Sequence, residues 1–584
     1  MKRCPQCNRA EPDDSLVFCR TDGAALVNES ASFSDDPRTA RLGSGSVATE
    51  IDTSLLPHST DAQARRSTGP TTALPHTSKG NTRELNKRGP RKVLIVATAT
   101  VVVVAIAIGG YFVGGKFVSS KNDKAIESVA VLPFENKSGN ADSEYLSDGL
   151  AESLIYRLSQ LQNLKVSPRS SVFRYKGQAI DALKVGSELG VDAVMSGRLI
   201  QRGDDLVISV DLIDVRNKKT LWGEQFQRKM SDLLTTQSEI ASAIADKLQL
   251  RLSGNDSNGI TKQYTSNNEA YQLYLQGRYF WSKRSSGNLK KATGLLKAAT
   301  EKDPNFALAY AGLADCYVVS YYYVGERPRE LMPLAKTYAA KAIELDPMLA
   351  EPHATLAFAS WLLDWDRETA EKEFRRAIEL NPNYPTAHHW YSRYLRGVGR
   401  PDEAFREIKR AEELDPLSLV IINNVAENYI DRGDLNAAAR ESQRLIDLDP
   451  SFWPGHQTLA IVLVKQGRYA DALSEAKKSV EYANRSNAPL ALLGHVYARM
   501  GRQSEAEAVI IELEKRFDDK QADGRDVAVV YAGMEDKNKA FDWLEKSFKD
   551  RSVFLVFLKL EPLLESLQSD PRWNDLERRV GISK

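Results

Sequence analysis

The chain has 584 residues, with 79 basic and 78 acidic side chains and a formal net charge of +1. That length exceeds one hydrophobic core and predicts several folded units. The even charge argues against a general nucleic-acid binder, which needs a basic face, and four cysteines are too few for a disulfide-stapled secreted scaffold.

Three of those cysteines fall within the first 19 residues. Residues 1–27 carry Cys4-Pro-Gln-Cys7 and then Phe18-Cys19-Arg-Thr-Asp22-Gly23. Two turns that each offer ligands close together are the geometry of a zinc ribbon, in which one tetrahedral ion is shared. The candidate structural zinc ligands are therefore Cys4, Cys7, Cys19 and Asp22, with an aspartate oxygen in the place usually held by a fourth thiolate. The plain alternative is a degenerate, metal-free ribbon. Residues 28–92 are rich in Ser, Thr, Asp, Pro and Gly without apolar periodicity, and read as a disordered linker.

From Val93 to Gly115 no charged residue occurs. At ~1.5 Å per residue such a run matches the hydrocarbon core of a bilayer, so a single transmembrane helix is expected over 93–115. Arg83, Lys87, Arg88, Arg91 and Lys92 precede it, whereas Asp123 and Glu127 dilute the lysines that follow. The positive-inside rule then places the N-terminus in the cytoplasm and the C-terminal domains outside, as in a single-pass protein of a bacterial inner membrane. Gly110 and Gly114 form a small-xxx-small pair that could let two copies approach as a homodimer; the plain alternative is ordinary glycine in a membrane helix.

Residues 126–252 read as an α/β domain. Ser128–Phe134 is a short apolar run, a buried strand. Leu146, Leu150, Leu154, Ile155 and Leu158 then recur at helical spacing. The turn Arg202-Gly203-Asp204-Asp205 leads into a segment where Val207, Ser209 and Asp211 alternate with Ile208, Val210 and Leu212, a hairpin pattern.

From 263 to 584 the chain repeats itself. Gly399, Gly433, Gly467 and Gly501 are each 34 residues apart, and Ala404, Ala438, Ala472 and Ala506 follow five residues after each. The alanine series extends to Ala292, Ala335, Ala370 and Ala540, which gives about eight units. Most close on Asp-Pro or Asn-Pro. Each unit reads as a helical hairpin with glycine in the turn, alanine at the close approach and proline ending the second helix. This pattern resembles the tetratricopeptide repeat, and stacked hairpins of that kind form an all-α superhelix. In this register His389, Arg393, Arg396, Asn423, Glu427 and His495 are candidates to line a peptide-binding groove. Arg393 and Arg396 could hold an extended peptide or acidic tail; the plain alternative is that both are simply solvated.

Common catalytic signatures are missing: no phosphate-binding or dinucleotide glycine motif, no H-E-x-x-H and no G-x-S-x-G. Adjacent His388 and His389 point apart on a helix, and lone Cys316 reads as a small core residue. An enzyme is therefore not expected.

The stretches "SVAVLPFENKSGNADSEYLSDGLAESLIYRLSQ" and "LGVDAVMSGRLIQRGDDLVISVDLIDV" resemble the TolB-like (FlgO-related) domain. "YLQGRYFWSKR", "DPNFALAYAGLADCY" and "LKLEPLLESLQSDPRWNDLERRVG" resemble the repeat region that commonly follows it. That resemblance implies a tether to an N-terminal output module such as a winged helix, a kinase or a cyclase, and the ribbon of residues 1–27 with its linker leaves no room for a kinase or cyclase. It supplies no catalytic residues. The expected protein is a membrane-anchored interaction scaffold or sensor that binds a protein or peptide through its repeats. The alternative is a one-pass signal transducer whose zinc ribbon contacts nucleic acid or a transcription partner.

Overall fold

The chain, seen here in a computed structural model, is described over residues 126–582 except 162, 179–180, 249–259, 284 and 324–327, and over three short strands near the N-terminus. It divides into two compact units, residues 1–109 and 110–584. In the first, β1 (Lys2–Arg3) pairs antiparallel with both β2 (Ala10–Glu11) and β3 (Val27–Asn28). The expected zinc ligands Cys4, Cys7, Cys19 and Asp22 lie outside the described residues. So do the linker beyond Asn28, the apolar run 93–115, and Gly110 with Gly114.

The five-part layout expected from the sequence, with a membrane span at its centre, is corrected to a mostly helical tetratricopeptide-like superhelix that carries one mixed sheet. Among the described residues no helix is long and apolar enough to cross a membrane. The longest, of 18 residues (Pro328–Leu345), carries Arg329, Glu330, Lys336, Lys341 and Glu344, charges that a bilayer interior would reject.

The sheet domain begins with β4 (Ser128–Val131), whose Val129, Ala130 and Val131 are fully buried, followed by β5 (Glu135–Asn136). Next come α1 (Glu144–Ser159), β6 (Lys165–Val166), the short α2 (Arg169–Val172) and α3 (Ala182–Leu189). Three long strands follow: β7 (Ala193–Arg202), β8 (Asp205–Asp214) and β9 (Lys219–Lys229). The order is β6-β4-β7-β8-β9 with β5 also on β7, parallel at the β6-β4-β7 end and antiparallel beyond. The β7–β8 turn is tight because Gly203 takes φ +62°. On β8 Leu206, Ile208, Val210 and Leu212 are buried, and on α1 so is the whole expected apolar stripe. Helix α4 (Leu233–Lys247) closes the domain.

Eight helical hairpins follow. Their first helices are α5 (Asn268–Ser282), α7 (Ala307–Tyr323), α9 (Ala350–Ala359), α11 (Pro385–Gly397), α13 (Leu419–Asp431), α15 (Trp453–Lys465), α17 (Asn487–Arg499) and α19 (Gly524–Gly533). Their second helices are α6 (Ser286–Lys302), α8 (Pro328–Leu345), α10 (Arg367–Leu380), α12 (Pro401–Leu414), α14 (Leu435–Leu448), α16 (Tyr469–Tyr482), α18 (Gln503–Asp518) and α20 (Lys537–Lys549). Gly399, Gly433, Gly467 and Gly501 sit between the paired helices at φ +72° to +78°, where a β-carbon would be strained. All eight repeat alanines, Ala292 through Ala540, are fully buried where the helices meet. The Asp-Pro and Asn-Pro closures work through the acidic or amide oxygen as well as the proline. Asp303, Asn381 and Asp449 each accept the N–H two residues on, at 2.9–3.0 Å, and so turn the chain.

A histidine clamp that the sequence reading missed recurs in three hairpins. His353, His388 and His456 each place Nδ1 2.5–2.6 Å from a glutamate of the second helix, Glu373, Glu407 and Glu475. Nε2 of each faces the proline carbonyl that precedes its hairpin, at 2.9–3.4 Å.

The C-terminal segment folds back onto the first helices. Two 3-10 turns, Leu555–Leu560 and Pro562–Leu567, lead into α21 (Pro571–Val580). Arg551 donates to the carbonyls of Leu363 and Asp364 at 2.9 and 2.8 Å, and Phe557 packs edge-on to Trp361. A β-carbon on Gly397 would stand 2.5 Å from Trp361 and 3.0 Å from the Val556 carbonyl, so only glycine lets this turn approach.

Candidate functional site

A cavity of about 1090 Å³ opens between α1 and α2 of the sheet domain and the first helices of six hairpins, α5 through α15. It exists because the two parts are locked together. Their buried apolar side chains form one cluster, from Val129 and Leu150 through Tyr271 and Leu275 to Phe306 and Leu349. Lys262 pairs with Asp346 at 2.6 Å, and Asp415 accepts the hydroxyls of Ser170 and Ser171.

One end of the cavity is acidic and aromatic. Glu152 on α1 takes the Nε–H groups of Arg278 (2.9 Å) and Arg169 (3.1 Å). Burial works to raise its pKa, but the two guanidiniums outweigh burial and hold it below the ordinary carboxylate value. Arg278 also reaches Asp315 at 3.2 Å, whose other oxygen accepts the Thr355 hydroxyl at 2.9 Å. Glu351, in the first turn of α9, differs from these. Its Oε2 is shut off from water and has no hydrogen-bond partner. Burial pushes its pKa up to about 7, with Asp315 and Asp346 adding to the effect against its own backbone N–H and Arg278. The hydroxyls of Tyr156, Tyr264, Tyr274 and Tyr384 lie within electrostatic reach of it; burial raises the pKa of all four, Tyr264 to about 12, so they stay protonated donors.

The other end holds most of the residues expected from the repeat register. His389 and Arg393 on α11, and Asn423 and Glu427 on α13, line the cavity. Burial, helped by Arg393, drops the His389 pKa to about 3, so its ring is neutral, and its Nε2 has no partner. Arg393 lies between the rings of Phe358 (5.4 Å) and Phe557 (5.1 Å) with its Nε unpartnered. The Asn423 amide donates to Glu427 at 2.8 Å and accepts from Thr458 at 2.9 Å.

Arg396 and His495 lie elsewhere. The Arg396 side chain is only 7% exposed, with Glu427 and Asp431 each 2.6 Å from its guanidinium, so it ties α11 to α13 and is not offered to a ligand. His495 on α17 has Nδ1 2.9 Å from the Val529 carbonyl, and burial lowers its pKa to about 4. Cys316 is buried in α7.

The acidic end escaped the sequence reading, although one signal was present. Asp315 is the one charged residue in the 17 of α7, and a lone charge in an apolar helix must find a partner when it is buried.

Residues 124–243 match the family described as HilA/YgeH-like transcriptional regulator, second domain. A Rhizobium meliloti (strain 1021) protein provisionally named adenylate cyclase 3 is 32% identical over 248 residues, 42% of this chain and 42% of its own length. The transcriptional regulator HilA of Salmonella typhimurium is 24% identical over 296 residues, 50% of this chain and 51% of its own. The solved structure of Pseudomonas aeruginosa PilF covers 36% of this chain and 92% of its own, at 20% identity and a TM-score of 0.30. The chain thus spans about half the length of the curated relatives it matches.

Proposed function

We propose that this chain is an interaction scaffold that works by binding rather than catalysis, and that it holds an extended segment of a partner protein in the cavity between sheet domain and repeats. The supporting observation is the cavity itself. Inner helices of six hairpins converge on it with aromatic faces and with polar atoms, at Glu351, His389 and Arg393, that have no hydrogen-bond partner among the described residues. Leaving a buried polar atom in this state is costly, and a ligand that completes it recovers that cost. Within this reading Arg393 meets an acidic group of the partner, while Asn423, held by Glu427 and Thr458, offers its second amide hydrogen to the backbone.

The test is selection of a phage-displayed random dodecapeptide library on the full chain. Enriched peptides should bind the Arg393→Ala and Asn423→Ala variants at least fivefold more weakly, with helical circular dichroism unchanged. Failure to enrich any peptide, or equal affinity for native and variant chains, refutes the proposal.

A second reading makes occupancy of the cavity a signal passed to another module that contacts nucleic acid or a transcription partner. What favours it is the match of residues 124–243 to the second domain of transcriptional regulators. Its test is duplex DNA binding by the full chain: specific binding weakens steeply with salt, and a flat response refutes it.

A further inference from the structure

One carboxylate at the acidic end of the cavity has an oxygen without a partner. Four carboxylates meet there: Glu152, Asp315, Asp346 and Glu351. Three of them hold a cation: Arg169 and Arg278 hold Glu152, Arg278 also holds Asp315, and Lys262 holds Asp346, while Arg157 donates to the carbonyls of Ile260 and Lys262. Among the described residues Glu351 Oε2 has no hydrogen-bond partner. One of the rings nearby already attracts cations, since Arg157 and Lys262 each stand 5.6 Å from the Tyr264 centroid. A tyrosine ring presents a negative face, and a carboxylate beside such faces favours a flat, weakly hydrated cation above any other group.

We infer that the cavity recognises its partner through a cationic side chain, arginine before lysine, seated on the Glu351 carboxylate among Tyr156, Tyr264, Tyr274 and Tyr384. The inference rests on the proposed peptide-binding role of the cavity and names what that peptide must carry. An incoming guanidinium supplies the partner that Glu351 lacks, and its remaining N–H groups have the neutral tyrosine oxygens as acceptors. The cation seat is separate from the Arg393 end. Glu351 and Phe358, against which Arg393 lies, are two turns apart on α9, roughly 10 Å at the α-helical rise. Arg393 therefore neither neutralises Glu351 nor competes for the cation.

The experiment is the same dodecapeptide selection, run at pH 8 on the native full chain and on Glu351→Gln. The substitution keeps size and shape and removes an uncompensated charge, so folding is preserved; melting curves check this. Enriched peptides should share one arginine or lysine. Replacing that residue by citrulline or norleucine should cost at least tenfold in Kd on the native chain and less than twofold on Glu351→Gln. Peptides enriched without a basic residue, or an arginine-to-citrulline loss equal on both chains, overturn the cation seat and leave the groove reading standing. If no peptide is enriched, the groove reading falls and the cation seat falls with it.

Discussion

Glu351 makes a stability prediction that needs no ligand. Its carboxyl is carried from an ordinary 4.5 to about 7 by burial, with Asp315 and Asp346 acting in the same direction and its own N–H and Arg278 opposing. The other titratable groups facing it, Tyr156, Tyr264, Tyr274 and Tyr384, keep their protons well above neutral pH. A folded pKa raised above the unfolded one means stability is complete below about pH 4.5 and is lost as pH rises through about 7. The gap corresponds to about 3 kcal/mol at pH 8, an upper bound because the residue is only partly enclosed. Glu351→Gln cannot lose a proton, so the variant should match the native chain at pH 5 and exceed it at pH 8 by up to that amount. Urea unfolding followed by circular dichroism at both values measures the difference, and other titrating groups cancel in the comparison. A variant less stable at pH 8, or a gap that does not change between pH 5 and pH 8, would show that Glu351 already has an internal partner and would refute the reasoning.

Three more outcomes are expected. Gly433→Ala forces a β-carbon onto φ +77° and should cost about 1 kcal/mol in urea unfolding, with the fold kept. Arg396→Met leaves Asp431 and Glu427 facing each other without the guanidinium that joins them and should cost about 3 kcal/mol at pH 7. Because burial already raises the Asp431 pKa and losing Arg396 raises it further, that cost should grow with pH, as paired melts at pH 5 and pH 8 would show. Finally, a structural zinc on Cys4, Cys7, Cys19 and Asp22 predicts one zinc per native chain by elemental analysis, and none after Cys4→Ser with Cys7→Ser.

The repeats were legible because their constraint is local. A glycine at positive φ, an alanine at a helix crossing and a capped proline turn each act within one unit, so period and offset expose them. The strands were legible for the same reason, since alternation on β8 maps directly onto burial. The site was only half legible. The register put Arg396 on an inner helix, but its partners lie 31 and 35 residues onward, on the matching face of the next hairpin, and they take it out of the groove. The histidine clamps join residues 19–20 apart across each hairpin, a spacing that glycine and alanine periodicity does not expose. The acidic end draws on α1, α5, α7 and α9, where insertion breaks the 34-residue spacing, and only packing of the sheet domain onto the repeats brings Glu152 to Arg278.

That packing changes what the repeats are. A tetratricopeptide-like array alone presents its inner helices to whatever fits them. Here α1 and α2 form one wall of the cavity, and the turn at Leu555–Leu560 brings Phe557 against Arg393 at the other end. The sheet domain cannot swing away as a free neighbour, because Phe306, Leu308 and Leu349 of the repeats are buried in the same cluster as Leu150 and Leu154. Uncovering that surface would forfeit roughly 1.5–3 kcal/mol for each large side chain. A ligand in the cavity therefore touches sheet domain and repeats at once, and recognition is a property of the joined pair. The residues that decide specificity are those whose needs the junction leaves open, Glu351 at one end and Arg393 at the other.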